Sequence, residues 1–101
     1  MNNMMKVYIS APIAGYEKGE RKEFFSKKAD MIRKMGFEPI NPMDKIDVDY
    51  NDSREIHLRA DTRLLLNCDE IWFFGYWYKS DGCLYEMEVA RHCGIEIKFV
   101  E

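Results

Sequence analysis

A glutamate that follows a turn of small polar residues is the strongest candidate for chemistry in this sequence. Ser80-Asp81-Gly82 predicts the start of a helix, and Glu86 lies in the first or second turn of that helix. Glu86 then shares a face with Cys83 and Ala90, so its side chain points into the protein. The backbone donors at a helix N-terminus favour an ionised carboxylate, which is the form that a nucleophile needs. Because glutamates are also common in first turns, a purely structural role is an equal alternative.

Two further side chains offer acid or hydroxyl chemistry. Asp61 lies at the border of the apolar stripe of a predicted helix, where an acid could be held near a substrate. An exposed aspartate paired with Arg59, Arg63 or Lys79 fits the same spacing. Tyr8 lies near the carboxyl end of the first predicted strand, where its hydroxyl could orient a carboxylate, although a core tyrosine is the commoner role.

The aromatic run Tyr76-Trp77-Tyr78 supplies flat rings just before the same turn. Such rings stack on nucleobases, and packing at an interface accounts for them about as well. Neither a G-x-G-x-x-G pattern nor a Walker A motif follows the first predicted strand. The sequence therefore disfavours dinucleotide and ATP chemistry.

The elements that position these residues alternate along the chain between strand-like apolar runs and helix-like periodicity. This alternation is typical of a parallel sheet covered by helices. We predict strands at residues 5–9, 37–40, 71–74 and 95–100. We predict helices from about 20 to 35, from an N-cap at Asp52 with its capping-box Glu55 to about 67, and from about 80 to 94.

The predicted fold is a single α/β domain over residues 1–101, a three-layer flavodoxin- or Rossmann-like domain with a four-stranded parallel sheet in the order 2-1-3-4. Pro39 favours the sheet edge for the second strand, and the apolar run 71–74 is typical of a central strand. Ligands of such sheets bind beyond the carboxyl ends of the strands, where the strand order reverses. That rule selects residues 8–15, residues 75–86 and part of the second helix. The candidate binding residues within these ranges are Ser10, Pro12, Gly15, Trp77, Ser80, Asp81 and Gly82.

Composition narrows the classes of partner. A formal net charge of -3 without a basic patch disfavours polymeric nucleic acid. No apolar run approaches the roughly 20 residues of a membrane helix, and residues 1–6 hold no signal peptide, so we expect a cytoplasmic protein. Cys68, Cys83 and Cys93 are an odd number without metal-ligand spacing, so we expect them reduced and mostly buried, with no metal site. A domain this small also favours a homo-oligomer.

Several motifs occur in an order that resembles the nucleoside 2-deoxyribosyltransferase-like superfamily, most closely its short bacterial and phage branch. They span nearly the whole chain, and the most specific of them is the last: Val7-Tyr8-Ile9-Ser10 through Gly15, Gly36 through Asn41-Pro42, Asp61, Cys68-Asp69, and Ser80-Asp81-Gly82 leading to Tyr85-Glu86.

The resemblance implies cleavage of the N-glycosidic bond of a nucleoside, a deoxynucleoside or a nucleoside 5′-monophosphate, by hydrolysis or by transfer to another base. It implies that Glu86 is the nucleophile, that Tyr8 orients it and that Asp61 contacts the base. It also implies that Ser80 matches a serine that binds phosphate in the nucleotide-hydrolysing relatives. No cofactor and no metal ion is needed for this chemistry.

Two departures from the family pattern set further expectations. The first loop, Ala11-Pro12-Ile13-Ala14, is nearly apolar, so we expect weak recognition of a phosphate. The chain ends at Glu101 directly after its last strand, whereas transferases of the family borrow residues from a neighbouring subunit, so we expect hydrolysis and a homodimer. The alternatives are a nucleotide-binding module without turnover and an interaction protein that docks through residues 72–78.

Overall fold

Four parallel strands form one sheet in the order β2-β1-β3-β4, as the sequence predicts. The structure, a computed structural model, describes residues 4–100; residues 1–3 and 101 of the predicted domain lie outside the described part. The elements in chain order are β1 (Lys6–Ser10), α1 (Lys18–Lys34), β2 (Glu38–Ile40), α2 (Arg54–Leu66), β3 (Glu70–Phe73), α3 (Asp81–Cys93) and β4 (Glu96–Phe99).

Strand β1 lies at the point where the strand order reverses, between β2 and β3. Tyr8 pairs with Ile40 on one side and with Ile71 on the other, and Ser10 pairs with Phe73. The short β2, which contains Pro39, lies at the edge as predicted. The carboxyl ends of β1 and β3 therefore meet in the middle of one sheet edge, where the connections to α1 and α3 begin.

The helices cover both faces of the sheet and give three layers. Val7, Ile9 and Trp72 pack against α1 on one face. Residues of the opposite pleat, among them Tyr8 and Phe73, pack against α2 and α3 on the other face. Because side chains alternate along a strand, Tyr8 and Ser10 both point toward the α2 and α3 layer.

Two helix starts differ from the predictions. Helix α1 begins at Lys18 instead of near residue 20, because the carboxylate of Glu17 accepts hydrogen bonds from the backbone of Gly19 and Glu20 at 3.0 and 2.9 Å. The N-cap of α2 is Ser53 instead of Asp52. The Asp52 carboxylate accepts a hydrogen bond from the Asp49 backbone at 2.8 Å, so it closes the preceding turn and leaves the cap to Ser53.

The cysteines are all free, and two of the three are buried. Cys68 and Cys83 belong to the layer between the sheet and α2 and α3, whereas Cys93 at the end of α3 is exposed. Within residues 4–100, no helix is both long and apolar enough to cross a membrane.

Candidate functional site

A buried carboxylate held by two hydroxyl groups forms the centre of the site. Glu86 is only 7% exposed. Tyr8 donates a hydrogen bond from its hydroxyl to Oε2 of Glu86 at 2.7 Å, and Ser10 donates one to Oε1 at 2.8 Å. Each carboxylate oxygen thus has its own hydroxyl donor, which fixes the plane of the carboxylate.

The local sequence accounts for this convergence. Tyr8 and Ser10 are two residues apart on β1 and therefore share one face of the sheet. Cys83, Glu86 and Ala90 recur at helical spacing and are the buried residues of α3, as predicted. The side chain of Ser80 caps α3 by accepting a hydrogen bond from the Cys83 backbone at 3.2 Å, so the first turn of α3, which precedes Glu86, is fixed.

Burial dominates the ionisation of Glu86. Desolvation raises the pKa of Glu86 from 4.5 to about 7, although the hydrogen bonds from Tyr8 and Ser10 lower it. Burial, and then the charge of Glu86, raises the pKa of Tyr8 well above its ordinary value. Tyr8 therefore stays a neutral donor, and Glu86 changes between its two protonation states near neutral pH.

Asp61 is a second buried carboxylate, and its partner is a lysine from a distant loop. Lys45 places its Nζ 3.1 Å from Oδ1 of Asp61, and both side chains are 12% exposed. Burial raises the pKa of Asp61, and the positive charge of Lys45 opposes that change. The alternative of an exposed aspartate paired with Arg59, Arg63 or Lys79 is therefore wrong.

Both carboxylates line one cavity of about 880 Å³ at the carboxyl edge of the sheet, which we call the site cavity. The first loop, the segment between β2 and α2, and the start of α3 surround it. Its lining residues are Ala11, Pro12, Ile13, Ala14, Tyr16, Lys18, Lys22, Met43, Lys45, Val48, Tyr50, Asp52, Arg54, His57, Asp61, Tyr76, Lys79, Ser80, Asp81, Gly82, Cys83 and Glu86.

Four cations of the site cavity have no carboxylate partner among the described residues: Lys18, Lys22, Arg54 and Lys79. Lys18 lies over the ring of Tyr50, with Nζ 4.7 Å from the ring centroid. The apolar first loop predicts weak phosphate recognition, but the structure adds these cations from α1, α2 and the segment before α3. The cavity thus offers an anion several positive charges that the first loop does not supply.

Most of the predicted site residues converge. Pro12, Ser80, Asp81 and Gly82 line the site cavity together with Glu86 and Asp61. Tyr8 and Ser10 lie behind Glu86, almost without exposure. These two therefore act on the carboxylate and do not line the cavity.

Two predicted binding residues lie outside the lining. Gly15 has a φ of +88° and lies in the turn that the hydrogen bond from Tyr16 N to Ile13 O closes at 3.2 Å, so its role is conformational. Trp77 stacks on Phe99 at 4.8 Å between ring centroids and contacts Phe73 at 5.7 Å. Of the aromatic run Tyr76-Trp77-Tyr78, only Tyr76 lines the site cavity.

The structure limits the alternative of a docking surface over residues 72–78 to the second half of that segment. Trp72, Phe73 and Phe74 are at most 4% exposed, because the strand lies between two helical layers. Only the tyrosines of this segment present large exposed surfaces.

Three further residues contribute to the site although no sequence pattern singles them out: Lys45, Tyr50 and Arg21. Lys45 and Tyr50 belong to the irregular segment after β2, which lies at the same sheet edge as the loops after β1 and β3. Arg21 is buried and donates a hydrogen bond to the Pro12 carbonyl at 2.9 Å, which holds the first loop against α1. One sequence signal could have placed Lys45 and Tyr50 at the site: all parallel strands of the sheet end at this edge, so the loop after β2 lies there as well.

Metal-ligand side chains are not grouped in this site. Within the described part of the chain, no three His, Cys, Asp or Glu side chains are close enough together to hold a metal ion. What the arrangement offers is a buried carboxylate that two hydroxyls orient, a paired aspartate and cationic side chains.

Two solved proteins share this architecture. The 2-deoxyribosyltransferase of Bacillus psychrosaccharolyticus superposes with a TM-score of 0.70 at 18% sequence identity, over 93% of this chain and 70% of that protein. A conserved protein from Enterococcus faecalis V583 superposes with a TM-score of 0.70 at 17% identity, over 96% of this chain and 63% of that protein. The chain therefore has the fold of the 2-deoxyribosyltransferases, as its motifs predict.

The family described as "Domain of unknown function (DUF4406)" matches residues 5–99. The chain belongs to this family. None of the curated proteins matches the chain in sequence.

Proposed function

We propose that this protein cleaves the N-glycosidic bond of a deoxynucleoside 5′-monophosphate, with Glu86 as the nucleophile. The observation that carries the proposal is the geometry of Glu86, a buried carboxylate that two hydroxyl donors orient at the edge of a large cavity. The fold of a 2-deoxyribosyltransferase supports a glycosyl reaction of this class.

The reaction proceeds in two displacements at C1′ of the sugar. First an oxygen of Glu86 forms a bond to C1′ while the bond from C1′ to the base nitrogen breaks; the base leaves with the electron pair and takes up a proton. Water then attacks C1′, the ester bond breaks and the Glu86 carboxylate is restored, while one proton returns to the solvent. When a second base replaces water, the same site performs transfer.

The protonation state of Glu86 sets the pH range of the first step. Only the ionised carboxylate is nucleophilic, and burial raises the pKa of Glu86 to about 7. The rate of base release therefore rises as the pH increases through about 7. Desolvation also makes the ionised carboxylate a stronger nucleophile than one in water, because no hydration shell must be removed.

The unpaired cations of the site cavity favour a phosphorylated substrate. Lys18 and Lys22 lie on the first turns of α1, beside the first loop, and Lys79 lies before α3. Charged donors of this kind bind phosphate groups, and the cavity is large enough for a nucleotide. We therefore expect 5′-monophosphates to bind better than the corresponding nucleosides.

The test is release of free base, measured by chromatography, from a panel of deoxyribonucleosides and their 5′-monophosphates. Wild type and Glu86→Gln are compared with and without an acceptor base. We expect release from at least one monophosphate that depends on Glu86, and acceptor dependence separates transfer from hydrolysis. If no substrate releases its base but a monophosphate still raises the melting temperature, the protein is a nucleotide-binding module without turnover.

A matched pair of variants tests the preference for a phosphorylated substrate. Lys22→Met removes a cation from the site cavity, whereas Lys27→Met removes one from an exposed pair with Glu23. We expect Lys22→Met to raise KM for the monophosphate about tenfold with no change for the nucleoside, and Lys27→Met to change neither. Equal effects of Lys22→Met on both substrates would contradict a contact with the phosphate.

A homodimer and a cytoplasmic location complete the proposal. Leu66, Leu84 and Tyr85 are large apolar side chains of α2 and α3 that are 40% or more exposed, and they are the side chains that a second subunit would cover. Light scattering coupled to size exclusion measures the mass directly, and a monomer at micromolar concentration would refute the dimer.

A further inference from the structure

Lys45 makes the only ion pair of Asp61 within the described residues, and it does so from outside the helices and strands. Its Nζ lies 3.1 Å from Oδ1 of Asp61 and also donates a hydrogen bond to the Pro42 carbonyl at 3.0 Å. Oδ1 of Asp61 is buried and accepts no well-aligned hydrogen bond among residues 4–100. What Lys45 supplies to Asp61 is therefore chiefly positive charge.

A positive charge is needed at this place because the site cavity contains two buried carboxylates. When two carboxyl groups share one low-dielectric site, ionising the second costs more than ionising the first, because the two negative charges repel each other. One of the two groups therefore tends to keep its proton. Glu86 shows this effect: besides its burial, the charge of Asp61 raises the pKa of Glu86, and the charge of Lys45 lowers it.

We propose that Lys45 is a positioning residue of the cleavage reaction, whose ammonium group neutralises Asp61 so that Asp61 and Glu86 are ionised together. This inference rests on the proposed function. It deepens that function by giving Asp61 a defined state: an ionised Asp61 accepts a hydrogen bond from an N–H of the base, and it does not supply the proton that the leaving base takes up.

Other titratable groups face the pair and must be held constant in any test. Tyr8 faces Glu86 from β1, and His57 faces Asp61 from α2. His57 contacts the Tyr50 carbonyl at 3.0 Å, and in its protonated form it adds positive charge near Asp61. Comparisons between variants at Lys45 leave both groups in place, so differences between these variants report on Lys45.

The first measurement does not require activity. Side-chain carboxyl resonances are followed by NMR as a function of pH in wild type, Lys45→Met and Lys45→Arg, with Lys27→Met as a control that removes an exposed lysine. We expect Lys45→Met to move the titration of the buried carboxylates upward by about one pH unit or more, and Lys45→Arg and Lys27→Met to leave it close to wild type.

The second measurement is the pH profile of kcat for the same variants. A higher pKa leaves less of Glu86 ionised, so we expect the acidic limb of Lys45→Met to move upward, with a loss of kcat at pH 7 of about fivefold or more. KM at high pH is expected to stay within about twofold of wild type, because Glu86 is again ionised there.

A double variant separates charge from structure. In Lys45→Met with Asp61→Asn both charges are absent, so the titration of Glu86 is expected to return toward its wild-type midpoint. If Lys45→Met alone does not fold, recovery of folding in the double variant is the expected sign that an unneutralised Asp61 caused the loss.

Unchanged carboxyl titration in a folded Lys45→Met, or failure of the double variant to fold, would overturn the inference. Either result is distinct from failure of the proposed function, which is an absence of base release in wild type. The titration still answers the question about Lys45 in that case.

Discussion

Two buried glutamates at opposite ends of the same sheet have similar exposure and different partners. Glu70 begins β3 at the amino edge and is 5% exposed; Glu86 lies at the carboxyl edge and is 7% exposed. Glu70 accepts a hydrogen bond from the Trp72 indole at 2.8 Å and lies 3.5 Å from the Lys98 ammonium. Glu86 is bound by two neutral hydroxyls and lines a cavity.

Burial of a carboxylate is therefore a poor sign of function without its surroundings. The cation and the indole beside Glu70 compensate its charge directly, and no part of it lines the site cavity. Glu86 has orienting donors but no ion pair within residues 4–100, and it lies where a ligand in the site cavity can reach it. The partners, and not the degree of burial, distinguish a structural glutamate from a candidate nucleophile.

The largest expected difference between the two glutamates is in activity. Glu86→Gln keeps the shape of the side chain but removes the nucleophile, so we expect base release to fall by at least about 1,000-fold. Glu70→Gln is expected to change kcat/KM by less than about threefold. Both are measured by initial rates of base release, with circular dichroism to show that the variants are folded. Comparable losses in both variants would break the distinction.

The effect of Glu86→Gln on the free energy of unfolding should depend on pH. Burial raises the pKa of folded Glu86 to about 7 from 4.5, so between these values the folded protein keeps a proton that the unfolded chain releases. The contribution of Glu86 to the free energy of unfolding therefore falls as the pH rises from about 4.5 to 7, and Glu86→Gln avoids this loss. We expect the gain in stability from Glu86→Gln to be about 3 kcal/mol larger at pH 8 than at pH 4.5.

Denaturant unfolding at the two pH values measures this difference. Glu70→Gln keeps an acceptor for Trp72 and loses an ion pair with a half-exposed lysine, so we expect a cost below about 1 kcal/mol. A pH-independent effect of Glu86→Gln would show that Glu86 is ionised at no cost, contrary to its surroundings.

Smaller effects on activity than that of Glu86→Gln are expected when the donors that bind the two glutamates are removed. Tyr8→Phe removes one donor to Glu86, so we expect kcat to fall about 10- to 100-fold and the acidic limb of the pH profile to move upward, because that hydrogen bond lowers the pKa of Glu86. Trp72→Phe removes the donor to Glu70 and is expected to cost about 1–3 kcal/mol of stability with kcat within about threefold of wild type. A kcat loss in Trp72→Phe as large as in Tyr8→Phe would contradict the assignment.

The fold could be predicted from the sequence because its elements are locally marked. Pro39 indicated an edge strand, and the unbroken apolar run 71–74 indicated a central strand. Helical spacing from Cys83 to Ala90 was sufficient to turn Glu86 inward. These signals lie within one element, where period and propensity decide the outcome.

The rest of the site depends on contacts between distant segments, which no local pattern encodes. Lys45 meets Asp61 only because the irregular segment after β2 folds over α2. Trp77 turns away from the cavity because stacking on Phe99 of β4 is available to it. Asp52 and Ser53 compete for one N-cap, and the turn that Asp52 closes decides the competition.

The most direct test of the central claim is detection of the covalent glycosyl intermediate on Glu86. A deoxynucleoside 5′-monophosphate analogue with fluorine at C2′ slows both displacements by destabilising the oxocarbenium-like transition state, which allows the ester to accumulate. Mass spectrometry of peptides from the treated protein is expected to show the sugar phosphate on Glu86 in wild type and no adduct in Glu86→Gln. An adduct on another residue, or release of base from this analogue without any adduct, would contradict Glu86 as the nucleophile.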